Sequence, residues 1–433
     1  MLIVFIALLG GCATYSEKVA SSRVKADQAD YAGAIDDLND FLDVGSADDL
    51  PSKWKDERAL AVLERSVLLQ ALGEVKLSSR DMSSADEELE LLDIEPDAVG
   101  SIGKYIYSDS ADNYMASPTE RVNLNSLNLA NFLALGDLSG AAVESRRFTN
   151  MRDYLASIDL SASGTLGSYL AGFTFERMGE GDRALRYYEE ALAAGSLDSL
   201  AAPVARLAAT NPYRGPNLEA LLANPSANAG GGRPTEILAI VPMGRVPYKV
   251  PKRIPIGAAV GIAGTFVTGN TAILERSILK VVVYPELENS GTRAGAAEVR
   301  VDGQPVPVEV VARIGTEIEK EYELIKPRII GAALTRLISR ALTAEGVRLA
   351  GQQVNPIVGL LAALAAEGTL VALDKPDTRS WTFLPDHVAI ARIPVAAGRH
   401  EVEVTVPGLG ETRSMSIDVS EGGFGVVVVT VPR

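Results

Sequence analysis

The residues best suited to chemistry are few. One cysteine, Cys12, and two histidines, His387 and His400, occur among 433 residues. A thiol or hydroxyl nucleophile needs a base within hydrogen-bond reach and a third group to orient that base. Both histidines fall in runs that read as strands, and no Gly-x-Ser-x-Gly elbow occurs. A lone cysteine excludes disulfide scaffolds, zinc ribbons and iron–sulfur clusters, and two histidines leave no multi-histidine metal site. Adjacent carboxylates are plentiful (Asp36-Asp37, Glu87-Glu88, Glu189-Glu190), but each pair falls on what reads as a helix surface, where acids are solvated. The expectation is a non-enzymatic protein with no cofactor and no metal. One short cluster stands apart, Asp377-Thr-Arg-Ser-Trp381, combining a charge pair, hydroxyls and one of two tryptophans. It reads as a turn pinned by Asp377 and Arg379, with Trp381 capping the core of the sheets, and as a candidate interaction surface.

The elements that must position these residues begin with the leader. Residues 2–9 are continuously apolar, and Leu9-Gly10-Gly11-Cys12 follows. This resembles a bacterial lipoprotein signal, in which small residues precede a cysteine that takes a diacylglycerol before the leader is cleaved. Eleven residues are too few to cross a hydrocarbon core of about 30 Å as a helix. The pattern departs from the usual one in having no Lys or Arg before the apolar run. The resemblance implies a signal peptide at 1–11, lipid attachment at Cys12 and, with Ala13 rather than Asp next, an outer-membrane anchor facing the periplasm.

Between residues 17 and 210 the apolar pattern has a period near 3.6, as amphipathic helices require. Gly172, Phe175, Gly179, Ala184, Tyr188, Ala191 and Leu192 stand at offsets 0, 3, 7, 12, 16, 19 and 20. That spacing resembles the tetratricopeptide repeat, where small residues let two helices approach and aromatics fill the gaps. Weaker copies hold Phe132, Gly136 and Ala141; Tyr31, Ala34, Leu38 and Phe41; and Leu69, Gly73 and Ala85. Residues 12–223 are therefore expected to form a degenerate tetratricopeptide-like helical repeat domain, whose groove suits a protein partner.

The stretch 224–234, Asn-Pro-Ser-Ala-Asn-Ala-Gly-Gly-Gly-Arg-Pro, reads as a linker. Beyond it, runs starting at Ile237, Leu279, Ala297, Val306, His387, His400 and Gly425 read as strands separated by turns. The expectation for 235–433 is an antiparallel β-sandwich, similar to transthyretin-like modules, with an inserted apolar helix over about 326–373. Arg328, Arg336, Arg340 and Arg348 recur near one face of that helix. The segment 254–264, with Gly257, Gly261 and Gly264, reads as a glycine-rich strand or loop because Pro255 opens it among strands. The fold class is thus α + β and multidomain.

The composition agrees, with 47% hydrophobic and 22% charged residues, as folded soluble chains have. Residues 234–433 carry 21 acidic and 21 basic side chains, so the net charge of −15 lies wholly in the helical part. Such a balance offers no footprint for nucleic acid, and the acid surplus reads as a solvated outer face. The leader, the repeat over 129–147 and the segment 377–381 together resemble an uncharacterised family of bacterial periplasmic lipoproteins, in which an Asp-x-Arg-Ser-Trp segment follows an Ala-rich helix. Members are often encoded beside small lipoproteins that activate penicillin-binding proteins. The resemblance implies a scaffold or adaptor in cell-envelope assembly, in cell-wall synthesis or a secretion or surface-structure system, with an unidentified envelope protein as partner. The alternative is an envelope enzyme or a module binding polysaccharide or peptidoglycan.

Overall fold

Four turns between helices are built alike and fix the N-terminal part. A computed structural model describes residues 14–89, 114, 116–157, 164–223, 233–266, 271, 281–291, 295–352 and 376–433. The leader with Cys12, most of the expected linker and the apolar run at 357–366 lie outside the described residues. The helices are α1 (Tyr15–Lys18), α2 (Ala20–Asp27), α3 (Tyr31–Leu42), α4 (Arg58–Ala71), α5 (Val75–Leu89), α6 (Pro118–Ala134), α7 (Leu138–Ser157), α8 (Thr165–Met178), α9 (Gly181–Leu192), α10 (Ala201–Ala208) and α11 (Pro216–Leu222). At Ala29, Gly73, Gly136 and Gly179 the backbone turns left-handed, with φ of 60°, 83°, 71° and 83°. Each time an acid follows (Asp30, Glu74, Asp137, Glu180), and its N–H bonds back to Lys25, Leu69, Phe132 or Phe175. This Schellman closure satisfies the last carbonyls of one helix and starts the next. The carboxylates of Asp30 and Asp137 then accept from the N–H groups of Gly33 and Gly140.

The pair α8 and α9 packs through small residues, as the spacing predicts. A Cβ on Gly172 would lie 2.4 Å from the Tyr188 ring, so only glycine fits there. Phe175 stacks on Tyr187 with ring centres 5.5 Å apart. Helices α4 and α6 are buried along nearly their whole length. A helix surrounded on all sides must satisfy any polar group it carries inside the protein.

The C-terminal part holds the sheets, so the chain is α + β with helices first and sheets after. Its elements are β1 (Glu236–Met243), β2 (Tyr248–Pro255), α12 (Ile256–Ala263), β3 (Val281–Glu288), β4 (Glu298–Val301), β5 (Gln304–Val306), β6 (Glu309–Ala312), α13 (Ile314–Gln352), β7 (His387–Pro394), β8 (Gly398–Val406), β9 (Glu411–Val419) and β10 (Phe424–Val428). One sheet runs β10-β1-β7-β6, a second β5-β4-β8-β9, and β2 pairs with β3 alone. Alternate residues of β1 enter two different cores. Ile237, Ala239 and Val241 meet Val299, Val402 and Val404 of the second sheet, while Leu238 and Ile240 join the helical core with Leu60, Leu63 and Phe173. Strand β10 divides the same way, Val427 to one side and Val426 and Val428 to the other. The β10-β1-β7-β6 sheet is therefore covered on both faces, which is why its strands read as unbroken apolar runs.

Four expectations are corrected. Strand β1 pairs with β10 in parallel, from Glu236 opposite Phe424 to Ile240 opposite Val428, so that sheet is mixed rather than antiparallel. Strands β2 and β9 were not foreseen in the sequence. β2 contains Pro251 and Pro255, tolerated because it is an edge strand, and β9 alternates Thr412, Ser414, Ser416 and Asp418 outward with few strong apolar residues inward. The segment after Pro255 is a helix rather than a strand or loop, since Ala259 and Ala263 are small enough to seat α12 on α13. The helix expected from residue 326 starts instead at Ile314, runs through Pro327 and carries Glu317, Glu319, Glu321 and Glu323 in its first turns, so its described part is not apolar.

Candidate functional site

Three glutamates on helices reach into the C-terminal part and define the most densely connected region. Glu64 sits in the middle of α4 and is fully buried. Its Oε1 accepts from the Thr382 N–H at 2.8 Å and the Thr382 hydroxyl at 2.8 Å, and its Oε2 accepts from the Phe383 N–H at 2.7 Å. The Tyr15 hydroxyl approaches the same carboxylate at 3.5 Å. Glu120 occupies the capping box that starts α6, where Ser117 and Glu120 bond reciprocally. Its Oε2 takes the Ser117 N–H at 2.7 Å and the Tyr114 hydroxyl at 2.5 Å, leaving Oε1 to accept the Trp381 N–H at 2.7 Å. The segment 381–383 is thus held by its backbone from two helices at once.

The Asp377–Trp381 cluster has the pinned turn that its sequence suggests. Asp377 Oδ1 accepts from the Arg379 N–H at 3.0 Å and from Nε at 2.9 Å, and Oδ2 accepts from Nη2 at 2.8 Å. Trp381 does not cap the core between the two sheets. Its ring is fully buried in the helical core with Phe383 and Leu384, because Glu120 and Glu64 draw the backbone toward α4 and α6. The indole N–H is buried without a hydrogen-bond partner among the described residues. A buried donor left so costs about 1–3 kcal/mol.

A second network joins α8 to the first sheet. Glu176 of α8 and Glu236 of β1 share Arg392 of β7, whose Nη2 lies 2.9 Å from Glu176 Oε2 and 2.7 Å from Glu236 Oε1. Arg392 Nε donates to Glu236 Oε2 at 2.9 Å and Nη1 to the Tyr188 hydroxyl at 3.0 Å. Arg206 and Arg177 each add a second guanidinium, on Glu176 and Glu236 respectively, so that three arginines meet two carboxylates. Within the helices, Arg65 bonds Asp81 at 2.7 and 3.2 Å and Asn39 at 2.8 Å, all of them buried. The acid surplus of the N-terminal part is therefore not wholly a solvated face. Its most connected carboxylates are internal because they neutralise buried arginines and cap backbone donors.

Burial leaves its mark on the titration of these groups. Burial pushes the Glu64 carboxyl from 4.5 up to about 7, against the Thr382 and Phe383 donors that favour its ionised form. Burial raises Glu144 to about 7 as well, against the pull of Arg147. A carboxyl whose pKa is higher in the folded state binds more protons there than in the unfolded chain. Its stabilising contribution is complete below about pH 4.5 and is lost as pH rises through about 7. For Glu176 burial raises, but Arg392, the Tyr188 hydroxyl and Arg206 together lower by more, so this carboxyl lies below its ordinary value and its contribution is lost on the acid side. We predict a thermal midpoint that peaks near about pH 5 and declines toward pH 8, with a loss on the order of 3 kcal/mol for each of Glu64 and Glu144. Calorimetric melts across pH 4–8 check this, and a midpoint that climbs steadily from pH 5 to 8 contradicts it.

The histidines are strand residues, as expected. His387 Nδ1 meets Asp386 at 3.0 Å, and His400 Nδ1 meets Asp302 at 2.7 Å. Among the described residues no group of three or more His, Cys, Asp or Glu is arranged to hold a metal ion, and no helix is long and apolar enough to cross a membrane. The sequence reading passed over Glu64, Glu120, Glu176 and Arg392. Only Glu120 has a local signal, the Ser117-Pro-Thr-Glu120 capping box; the others look like ordinary helix and strand positions until the two parts are joined. Comparison with protein-family models, with curated proteins and with solved structures finds no match for this chain.

Proposed function

We propose that this chain is a lipid-anchored envelope protein, attached through Cys12, that works without catalysis as a rigid adaptor between the outer membrane and a protein partner. In this reading the helix pairs form a tetratricopeptide-like array, and the two four-stranded sheets form a sandwich across their shared valine layer. The observation that carries it is the junction between anchor and body. Tyr15 stands three residues after Cys12 and is 2% exposed, packed edge-on against Phe41 with Lys18 bonded to Glu57 at 3.0 Å. Three residues span at most about 11 Å, so acylation at Cys12 would hold the body directly on the bilayer with no intervening tether. The internal carboxylates support an adaptor as well: Glu64, Glu120 and Glu176 are committed to holding one part on the other. Rigidity of this kind suits a scaffold that must present surfaces at a set height.

Labelling with radioactive palmitate and fractionation of membranes test the anchor. The native chain is expected to take up label and stay in the outer-membrane fraction, whereas Cys12→Ala takes up none and moves to the periplasmic fraction. Continued membrane retention of Cys12→Ala overturns the anchor. Cross-linking of the native chain in intact cells tests the adaptor; recovery of peptidoglycan in place of a protein would overturn it in favour of a glycan-binding role.

A further inference from the structure

The lobe formed by β2, α12 and β3 presents an apolar crest ringed by bases. From Ile256 to Phe266 the chain has no charged residue. Ala259 and Ala263 bury one side of α12 against Ile330, Ala333 and Leu334 of α13. The other side faces outward, with Ile262 42% and Phe266 47% exposed and Gly257 and Gly261 open beside them. Val281, paired with Pro255 at the end of the hairpin, adds a third apolar residue at 38%. The short turn Gly264–Phe266 is held in place because Gly331 of α13 has no side chain, a Cβ there lying 2.7 Å from the Phe266 carbonyl.

The charges around this crest are sorted. Arg253 and Lys252 stand exposed on β2 immediately below it, and the Arg328 guanidinium lies 5.4 Å from the centre of the Phe266 ring. Among the described residues neither Arg253 nor Arg328 has a carboxylate partner. Among the described residues, the acids of β3 and α13 in this lobe are engaged: Glu286 with Lys326 at 3.0 Å and Lys252 at 3.5 Å, and Glu323 with Lys326 at 3.2 Å. An exposed apolar face flanked by guanidinium groups that pair with no carboxylate among the described residues is the pattern of an element that enters the headgroup layer of an anionic bilayer. A second copy of the chain fits the crest less well, since facing copies would bring Arg253 and Arg328 against their own equivalents.

We propose that the crest of Ile262, Phe266 and Val281 inserts into an anionic phospholipid surface, with Arg253 and Arg328 on the headgroups. This rests on the proposed anchor for the supply of a bilayer, and α1, which follows the anchor, packs against β2, the strand that leads to the crest. Anchor and crest are then two attachments that orient the body, each raising the effective concentration of the other.

The test introduces Phe266→Trp into the full chain and measures quenching of its fluorescence by brominated lipid. Quenching is expected in vesicles of phosphatidylglycerol and phosphatidylcholine, weaker in phosphatidylcholine alone, and reduced roughly tenfold or more when Ile262→Asp is added. Ile262 is on the surface, so the melting curve should not move and loss of quenching is not loss of fold. Equal quenching with and without Ile262→Asp, or none in either vesicle, overturns the proposal. A dimer in sedimentation that Ile262→Asp splits overturns it in favour of a second copy. Palmitate labelling reads the anchor separately, so an unlabelled chain that still quenches in added vesicles refutes the anchor and keeps the crest.

Discussion

Replacing Arg392 by alanine is expected to destabilise the protein by about 3–5 kcal/mol, the range found when one partner of a buried ion pair is removed. The Arg392 side chain is 3% exposed and, among the described residues, is the one cation that touches both Glu176 and Glu236, at 2.9 and 2.7 Å. Without it two carboxylates remain in the interior, each with a single arginine, Arg206 or Arg177. The Tyr188 hydroxyl, which donates to Glu176 at 2.5 Å and receives Arg392 Nη1 at 3.0 Å, loses one of its two contacts. Lysine should not rescue the site, because a single ammonium cannot reproduce the forked contact of Nε and Nη2 with Glu236. Urea denaturation reads the outcome. A midpoint for Arg392→Lys within a few tenths of a molar of the native chain would mean that the network is decorative.

That network also explains what could and could not be read from the sequence. The helix pair carrying Gly172 and Tyr188 was legible because the constraint is local: a small residue and an aromatic must meet across one turn. The strands were legible where apolar residues were dense, as at Ile237 and Gly425. Their continuous runs carried a further message, that both faces of β1 and β10 are covered, one by the second sheet and one by helices. Period-two alternation in Val299 and Val301 marks the second sheet, which is half solvated. The α12 segment differs from its expectation because Pro255 and three glycines carry strand and loop signals, while the packing of Ala259 and Ala263 on α13 is a tertiary contact that no local signal announces. The candidate cluster was half legible. The Asp377–Arg379 pair spans two residues, so its geometry is local. The placement of Trp381 depends on Glu120, far away in sequence, and nothing within 377–381 encodes it.

Glu64 carries the second large expectation. Glu64→Ala should cost about 3–5 kcal/mol, because it strands the N–H groups of Thr382 and Phe383 and the Thr382 hydroxyl in a fully buried site, at roughly 1–3 kcal/mol for each buried donor left unpaired. The effect should be visible locally before it is global. In native-state hydrogen exchange the Thr382 and Phe383 amides, now held at 2.8 and 2.7 Å, should exchange at least about tenfold faster, while amides of the β1–β7 pair shift only by the common loss of stability. Glu64→Gln separates charge from hydrogen bonding. Its amide oxygen can still accept from Thr382, but its NH2 group faces the Phe383 N–H and cannot accept from it. At pH 5 this variant should be less stable than the native chain by about 1–3 kcal/mol. As pH rises through about 7 the native chain must ionise a carboxyl that burial disfavours, and the glutamine need not, so the gap should narrow. A gap that stays constant with pH would mean that the three donors outweigh burial and hold Glu64 ionised throughout. In that case the junction between α4 and the 381–383 segment would be a fixed charge-assisted clamp, and the alkaline loss of stability would fall to Glu144 and the other carboxyls that burial raises, Asp81 and Glu321.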